Sequence, residues 1–476
     1  MRANSWSEDD SAKNIEPLVS ILLRNPLEIE GTEIPDSIDE MAASAISYRG
    51  YAGRRRKAAT VFVAIWVGVV LLYLLPWGSF AVFGLAGLLG IHMLRLFAAT
   101  SPLTIDALPQ SDRDRWPFVS VLVAAKNEEA VIGSLVERLC HLDYPVDRYE
   151  VWIIDDNSSD GTPDVLEALE GKYDRLNVLH RTADASGGKS GALNQALQLA
   201  RGEVLAVFDA DAQVSPDLLR RVIPHFDRPQ VGAVQLRKAI SNAGKNFWTQ
   251  GQATEMIFDA FLQQQRHAIG GIGELRGNGQ FVRRKALASC GYFNEETITD
   301  DLDLTLRLHL DGWDIDCAFF PTVGEEGVTD AVALWHQRSR WAEGGYQRYL
   351  DYWRLISRNR MGWGKTIDTC VFFVTMYLLP TAAVPDLLMA IARRQMPILA
   401  PVTSLTVFVS VTGMCLGLRQ VRRGTSQPLY FWSMLWQILQ GTLYMLHWFA
   451  VMAATTARVS VRPKRLKWVK TVHRGH

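Results

Sequence analysis

Long uncharged segments stand near both ends of the chain, and shorter apolar runs alternate with polar ones between them. The first uncharged segment covers residues 58–77, and a second apolar segment, which contains one charged residue (Arg95), follows at 79–98 after a Pro-Trp-Gly turn. About 20 apolar residues match the thickness of a bilayer core, so we predict two transmembrane helices over 58–98. A buried hairpin of a water-soluble protein is the alternative. A charge-free run of this length disfavours that alternative for 58–77.

The segments before the first predicted helix indicate its orientation. Residues 1–50 hold ten Asp and Glu against four Lys and Arg and lack a secretory signal pattern, so we predict an acidic, disordered cytoplasmic tail. Four basic residues at 54–57 precede the helix, and basic flanks stay on the cytoplasmic side. We therefore expect a multi-pass membrane protein whose central domain is cytoplasmic.

Apolar runs near the C-terminus predict about three transmembrane segments over 366–456, at 367–392, 396–418 and 429–456. Three spans after a cytoplasmic domain would put the basic tail at 457–476 on the far side of the membrane, against the same charge rule. One segment could therefore be re-entrant or interfacial. Pro380 and Pro385 make 367–392 the candidate.

Residues 115–330 have a different pattern, in which short β-branched runs alternate with amphipathic helical segments. The predicted strands are 118–125, 149–156, 176–180, 203–210 and 231–236. Such alternation predicts an α/β domain with a parallel sheet and helices on both faces. Ligands in these folds bind beyond the carboxyl ends of the strands. Residues 331–365 then mix Trp, Tyr and Arg, which predicts amphipathic helices at the membrane interface.

Composition agrees with a protein that is part membrane-embedded and part water-exposed. The 476 residues include 50 Lys and Arg and 50 Asp and Glu, and the mean hydropathy is +0.01. Zero net charge argues against a nucleic-acid partner. Five scattered Cys without a CxxC pair argue against a disulfide framework or a structural zinc site.

Carboxylates follow three of the predicted strands. Glu128 comes after the first strand, Asp155 and Asp156 end the second, and Asp209 and Asp211 follow the fourth. Like charges so close together call for a compensating cation. Mg²⁺ takes one or two carboxylates and completes its shell with water and substrate phosphate, which suits a nucleotide diphosphate. Each motif alone could instead be a turn or a helix cap.

Three further stretches are candidates for chemistry. Lys189, at a predicted helix start, could meet a phosphate or be merely solvated. Asp301, in the run TDD, could remove a proton from an acceptor hydroxyl or only cap a helix. The run QRSRW at 337–341 could bind phosphate through Arg340 and stack a ring on Trp341. It would equally suit an interfacial helix, and the two interpretations are compatible.

Together these motifs resemble glycosyltransferase family 2. The family pattern of D, DxD, (E/D)D and QxxRW matches 155–156, 209–211, 299–301 and 337–341, and the likeness covers roughly 115–345. The resemblance implies a GT-A-type nucleotide-sugar domain, built on one mixed sheet, with inverting chemistry. Asp300 stands where many relatives have Glu, which keeps the carboxylate.

The resemblance also implies individual roles. Asp301 would be the catalytic base, and Asp209 and Asp211 would bind Mg²⁺, with Mn²⁺ possible, beside the diphosphate. The other substrate-binding residues it implies are Glu128, Asp155, Asp156, Lys189, Asn278, Gly279, Asp300, Gln337, Arg340 and Trp341.

The acceptor is less constrained than the donor. The flanks of TDD and QRSRW, and the layout of spans around the domain, look most similar to the cyanobacterial monoglucosyldiacylglycerol synthases within this family. That similarity implies UDP-glucose as donor and 1,2-diacylglycerol as acceptor, giving a β-glucoside. A processive polysaccharide synthase is the alternative, although the C-terminal segments offer little polar lining for a tunnel. A non-catalytic membrane protein is disfavoured because all the expected carboxylates are present.

Overall fold

The computed structural model describes residues 52–100, 106–109, 116–426, 428 and 430–462. The predicted tail at 1–50 and most of the predicted basic tail at 457–476 lie outside these residues.

One sheet of seven strands organises the central domain, in the order β3-β2-β1-β4-β6-β5-β7. The strands are β1 (Val119–Ala125), β2 (Tyr149–Asp155), β3 (Leu176–His180), β4 (Val204–Phe208), β5 (Val231–Ile240), β6 (Gln280–Arg283) and β7 (Asp314–Glu325). The first five match the predicted strands closely, which confirms the α/β class. The prediction of a purely parallel sheet is wrong at β6, which runs antiparallel to both β4 and β5. The mixed sheet implied by the family resemblance is correct.

Helices cover both faces of the sheet. They are α3 (Ile132–Cys140), α4 (Thr162–Glu170), α5 (Gly188–Leu197), α6 (Leu218–Val222), α8 (Arg284–Ser289) and α9 (Asp300–Leu310). Every residue of β4 is buried, because alternate side chains enter two separate apolar cores, one on each face. This burial fixes the register of the strands and so the position of their carboxyl ends.

Apolar helices flank the domain in the chain. These are α1 (Arg54–Leu74), α2 (Gly78–Ala98), α11 (Trp363–Phe373) continuing through a π-helical turn at Val374–Leu378 into α12 (Leu379–Arg393), and α13 (Ala400–Gly424). Four helices of the described chain are long and apolar enough to cross a bilayer: α1, α2, the combined Trp363–Arg393 and α13. The third C-terminal segment consists of α14 (Phe431–Met445) and α15 (His447–Val461), which meet at Leu446. Each is shorter than a bilayer crossing requires, and the number of spans stays a prediction.

Two long helices connect the domain to the apolar helices. Helix α7 (Phe247–Ala268) begins at Asn246, whose side chain accepts hydrogen bonds from the backbone of Trp248 and Thr249 in a capping box. It packs against α13 and α14 on one side and β5 on the other. Helix α10 (Ala331–Ser357) begins at Asp330, whose side chain accepts hydrogen bonds from the backbone of Val332 and Ala333. It lies between α9 and α15. The predicted interfacial segment therefore lies between the central domain and the apolar helices.

Candidate active site

The two aspartates at the end of β2, Asp155 and Asp156, have different environments. Asp155 is buried; one of its oxygens accepts a hydrogen bond from the Ser158 N–H at 3.1 Å and the other lies 3.0 Å from His180 Nδ1. Asp156 instead faces the cavity described below and pairs with Arg181 at 2.5 Å. Asp155 thus holds the turn in place, while Asp156 is available to a ligand.

The loop that precedes β6 supports the DAD turn that follows β4. The Asp209 N–H donates to Asn278 Oδ1 at 3.2 Å, and Asn278 Nδ2 donates to Glu325 at 3.4 Å. Gly279 has a positive φ of 72° and a Cβ there would lie 2.6 Å from Val323, so only glycine fits. Neither Asn278 nor Gly279 lines the cavity. Asn278 therefore positions the backbone of Asp209, and the Gly279 N–H, which donates to the Val207 carbonyl at 3.1 Å, joins the same loop to the end of β4.

Charged groups meet at the DAD turn itself. Lys189, from the first turn of α5, places Nζ 2.5 Å from Asp209 Oδ1. Asp211 Oδ2 accepts a hydrogen bond from the Glu326 N–H at 2.8 Å. Burial alone would lower the pKa of Lys189, but the carboxylates of Asp209 and Asp300 raise it above its ordinary value. Lys189 is therefore a permanent cation within the acidic cluster.

Asp300 and Asp301 form the first turn of α9. Burial raises the pKa of Asp301 to about 6, and the neighbouring Asp300 carboxylate adds to the rise. A carboxylate with a pKa near neutrality is well matched to general-base work. One oxygen of Asp300 is buried and has no hydrogen-bond partner among the described residues. An exposed aspartate that only caps a helix would show neither feature.

The QRSRW segment lies on α10, and its side chains enter two environments, the cavity and the buried interior. Arg340 faces the cavity, where burial lowers its pKa and the carboxylates of Asp209, Asp301 and Asp300 oppose the change. Trp341 also lines the cavity, with the Arg338 guanidinium 4.0 Å from its ring centroid. Arg338 itself is fully buried and pairs with Glu255 at 2.5 Å. It packs the motif and does not face the cavity.

These side chains share one cavity of about 850 Å³. Of the predicted site residues, the structure brings together in its lining Glu128, Asp156, Lys189, Asp209, Asp211, Asp300, Asp301, Gln337, Arg340 and Trp341. Asp155, Asn278 and Gly279 lie behind this surface. The cavity continues beyond the strand ends between the apolar helices, where residues of α2, α7 and α11–α15 line it.

Several lining residues were missed by the sequence analysis. Lys238 on β5 places Nζ 3.1 Å from Glu325 at the end of β7 and 5.5 Å from the ring centroid of Trp341. Glu255 on α7 and Arg276 before β6 also line the cavity. Lys238 lies near the end of β5, which extends to Ile240 rather than to the predicted residue 236, so a longer predicted strand would have included it. The other two carried no motif signal.

The donor set at the DAD turn fits a divalent cation that is shared with a substrate. Among the described residues, no group of three or more His, Cys, Asp or Glu side chains could enclose a metal alone. Two aspartates on one short turn, open to the cavity, are what a cation bound jointly to carboxylates and phosphate oxygens requires. Asp209 and Asp211 are the residues that would hold it.

Comparison with known proteins agrees with this geometry. Residues 120–291 match the glycosyl transferase family 2 profile. The chain is 59% identical to the beta-monoglucosyldiacylglycerol synthase of Trichormus variabilis over 476 residues, which covers 100% of this chain and 99% of the relative. It is 55% identical to the synthase of the same name from Synechocystis over 430 residues, 90% of each chain.

A solved structure supports the fold. The mannosyltransferase PcManGT from Pyrobaculum calidifontis, determined with GDP-Man and Mn²⁺, aligns with a TM-score of 0.51 over 83% of this chain and 99% of its own, at 21% identity. At that identity the likeness concerns the fold alone. The strand-end carboxylates, the QxxRW helix and the full-length similarity lead to one conclusion: the chain is a glycosyltransferase and belongs to glycosyl transferase family 2.

Proposed function

We propose that the protein transfers glucose from UDP-glucose to 1,2-diacylglycerol, with inversion, to give β-monoglucosyldiacylglycerol. The observation that carries the proposal is the single cavity lined at one end by the strand-end carboxylates and at the other by apolar helices. A nucleotide sugar suits the polar end, and a lipid with its hydroxyl at headgroup level suits the apolar end. The full-length relatives are named for synthesis of this glycolipid.

The proposed reaction is one displacement. Asp301 accepts the proton of the glycerol hydroxyl as the oxygen forms its bond to the anomeric carbon. The bond from that carbon to the UDP oxygen breaks at the same time, and UDP leaves from the opposite face, which converts an α-linked donor into a β-glucoside. Arg340 and Lys189 stabilise the negative charge that develops on the diphosphate. A divalent cation at Asp209 and Asp211, Mg²⁺ or Mn²⁺, would neutralise part of the same charge.

The same proposal assigns roles to the other site residues. Glu128 and Asp156 line the cavity beside the ends of β1 and β2 and would contact the nucleotide. Trp341 offers a flat apolar face for the sugar or the acceptor, and Gln337 lies one helical turn before it on α10. We further propose that the apolar helices cross the membrane and that the catalytic domain is cytoplasmic, since basic residues at 54–57 precede α1.

The test is an assay of purified full-length protein with labelled UDP-glucose, Mg²⁺ and diacylglycerol in detergent micelles. We expect one product that chromatographs as a lipid, has the mass of diacylglycerol plus a single hexose and shows a β-anomeric proton. UDP-galactose and UDP-N-acetylglucosamine serve as competing donors. A water-soluble polymer would instead support a processive polysaccharide synthase, and absence of any glycosylated lipid would refute the proposal.

A further inference from the structure

The polar and apolar parts of the cavity meet at a cluster of buried charges. Glu274 is fully buried and pairs with Arg276 at 2.7 Å and with Arg348 at 2.9 Å. Arg266 pairs with Asp368 at 2.9 Å, and Arg276 with Asp259 at 2.8 Å. The cluster thus contains three arginines and three carboxylates, all of which line the cavity except Glu274. Its formal charge is balanced, so a ligand at this point needs no charge of its own.

Arg348 has donors that the protein leaves unused. The residue is 2% exposed and lines the cavity, and Nη2 donates to Glu274. Nε and Nη1 are buried and have no hydrogen-bond partner among the described residues. A buried N–H without an acceptor is costly, and a guanidinium presents its donors in a fixed planar fork. An uncharged oxygen acceptor supplied by a ligand would satisfy these donors.

The cluster is adjacent to the proposed base. Gly277 follows Arg276 in the chain, and a Cβ at Gly277 would lie 3.4 Å from Asp301 Oδ2. Arg276 is joined to Arg348 through Glu274. In a diacylglycerol, the ester carbonyls are only a few bonds from the free hydroxyl. An acceptor whose hydroxyl reaches Asp301 therefore has its ester groups at the level of this cluster, and its chains among the apolar helices beyond.

We propose that Arg348 is a positioning residue that donates hydrogen bonds to an ester carbonyl of the acceptor and so selects a diacyl lipid. The inference rests on the proposed function and deepens it. The apolar section beyond the cluster holds the acyl chains, lined by residues such as Leu89, Met93, Phe258, Val409, Met445 and Phe449. Together the hydrogen bonds to the ester carbonyl and the apolar part of the cavity determine how the acceptor hydroxyl is placed relative to Asp301.

The test compares two acceptors that differ only in the carbonyls. Purified full-length protein is assayed with 1,2-diacylglycerol and with the dialkyl-ether analogue of equal chain length, in identical micelles. We expect the wild-type protein to use the ester with a kcat/KM about tenfold or more above that of the ether. Arg348→Lys should lower kcat/KM for the ester only, so that the ratio of the ester kcat/KM to the ether kcat/KM falls to about threefold or less. The KM for UDP-glucose should stay unchanged. A merely structural role for Arg348 would lower both rates equally.

A matched control and the comparison of substrates keep the test decisive. Arg354 lies on the same helix but is exposed, so Arg354→Lys should leave both rates unchanged. Equal use of the ester and ether lipids by the wild-type protein overturns the inference even if Arg348→Lys fails to fold, and it leaves the proposed function standing. If neither lipid is glucosylated although UDP-glucose binds, the proposed function fails and the inference with it.

Discussion

The ammonium of Lys189 lies 2.5 Å from Oδ1 of Asp209 and joins the start of α5 to the end of β4. The contact places a cation among carboxylates that would otherwise repel one another. Lys189 also lowers the pKa of Asp301, although burial and Asp300 outweigh its effect. This single side chain therefore connects the proposed diphosphate site to the proposed base.

Replacement of Lys189 by Met should affect both sites. We expect kcat/KM for UDP-glucose to fall about 100-fold, because a cation beside the diphosphate is lost. The acidic limb of the pH profile should also move to higher pH, since Asp301 loses a charge that favours its ionised form. Steady-state kinetics across pH would measure both effects. Lys172→Met, at an exposed lysine, is the control. An unchanged pH profile would contradict the coupling to Asp301.

The pH dependence of the wild-type enzyme should report the titration of Asp301. Burial and Asp300 raise the pKa of Asp301 to about 6, and only the ionised carboxylate can accept the proton of the acceptor hydroxyl. Activity should therefore be full above this pKa and fall by about tenfold per pH unit well below it. Measured kcat/KM for the lipid acceptor should show this limb. A profile that stays flat down to pH 5 would argue against a base with a raised pKa.

Asp301→Asn tests the role of the base directly, because it removes the charge while it keeps the shape. We expect turnover to fall about 100- to 10,000-fold, with UDP-glucose binding retained in calorimetric titration. Asp164 occupies the first turn of α4 and is exposed, so Asp164→Asn is a matched control for the loss of a helix-capping carboxylate. Near wild-type turnover in Asp301→Asn would assign the base to another residue.

Metal removal tests the assignment of the DAD turn. We expect chelation with EDTA to abolish transfer, and added Mg²⁺ or Mn²⁺ to restore it. Asp211→Asn should raise the metal concentration needed for half-maximal activity, because one of two carboxylate ligands is lost. Titration of activity against each metal provides the measurement. Full activity in EDTA would contradict a role for a metal ion at Asp209 and Asp211.

Elements that form from local sequence patterns could be predicted, whereas elements that depend on contacts between distant segments could not. Strands β1–β5 were predicted because each is a short apolar run between helical segments. Strand β6 has only four residues, with Gln280 at its start, and it is stabilised by antiparallel pairing with β4 and β5. No local pattern reports such pairing. Helix α7 was missed for a related reason, since its buried face includes Gln252, Gln263 and Gln265.

The candidate site shows the same division. Strand-end carboxylates could be predicted because the carboxyl ends of parallel strands meet at one edge of a sheet. Asn278 was assigned to the substrate through family resemblance alone, whereas the structure places it behind Asp209. Arg348 had no motif signal, because its significance arises from Glu274 and from the cavity that passes it. Contacts of this kind become visible only when distant segments are brought together.

Two arginines of QRSRW should respond differently to substitution. Arg338 is fully buried, pairs with Glu255 at 2.5 Å and donates to the Tyr444 hydroxyl at 3.0 Å. Arg338→Ala would leave Glu255 buried without its cation, so we expect a loss of about 3–5 kcal/mol in stability and a lower melting temperature in detergent. Arg340 faces the cavity, so Arg340→Ala should keep the melting temperature but reduce kcat about 100-fold.

Conservative variants sharpen this contrast between stability and chemistry. Arg338→Met combined with Glu255→Gln removes both charges, so the double variant should be more stable than Arg338→Met alone, because the uncompensated charge is what destabilises. Arg340→Lys keeps the charge but loses the planar fork that can grip two phosphate oxygens, and it should restore only part of the rate lost in Arg340→Ala. Thermal melting and steady-state kinetics of the variants would measure both effects. If Arg338→Ala instead retained its melting temperature and lost turnover, the buried arginine would act on the substrate through Trp341, whose ring it contacts at 4.0 Å.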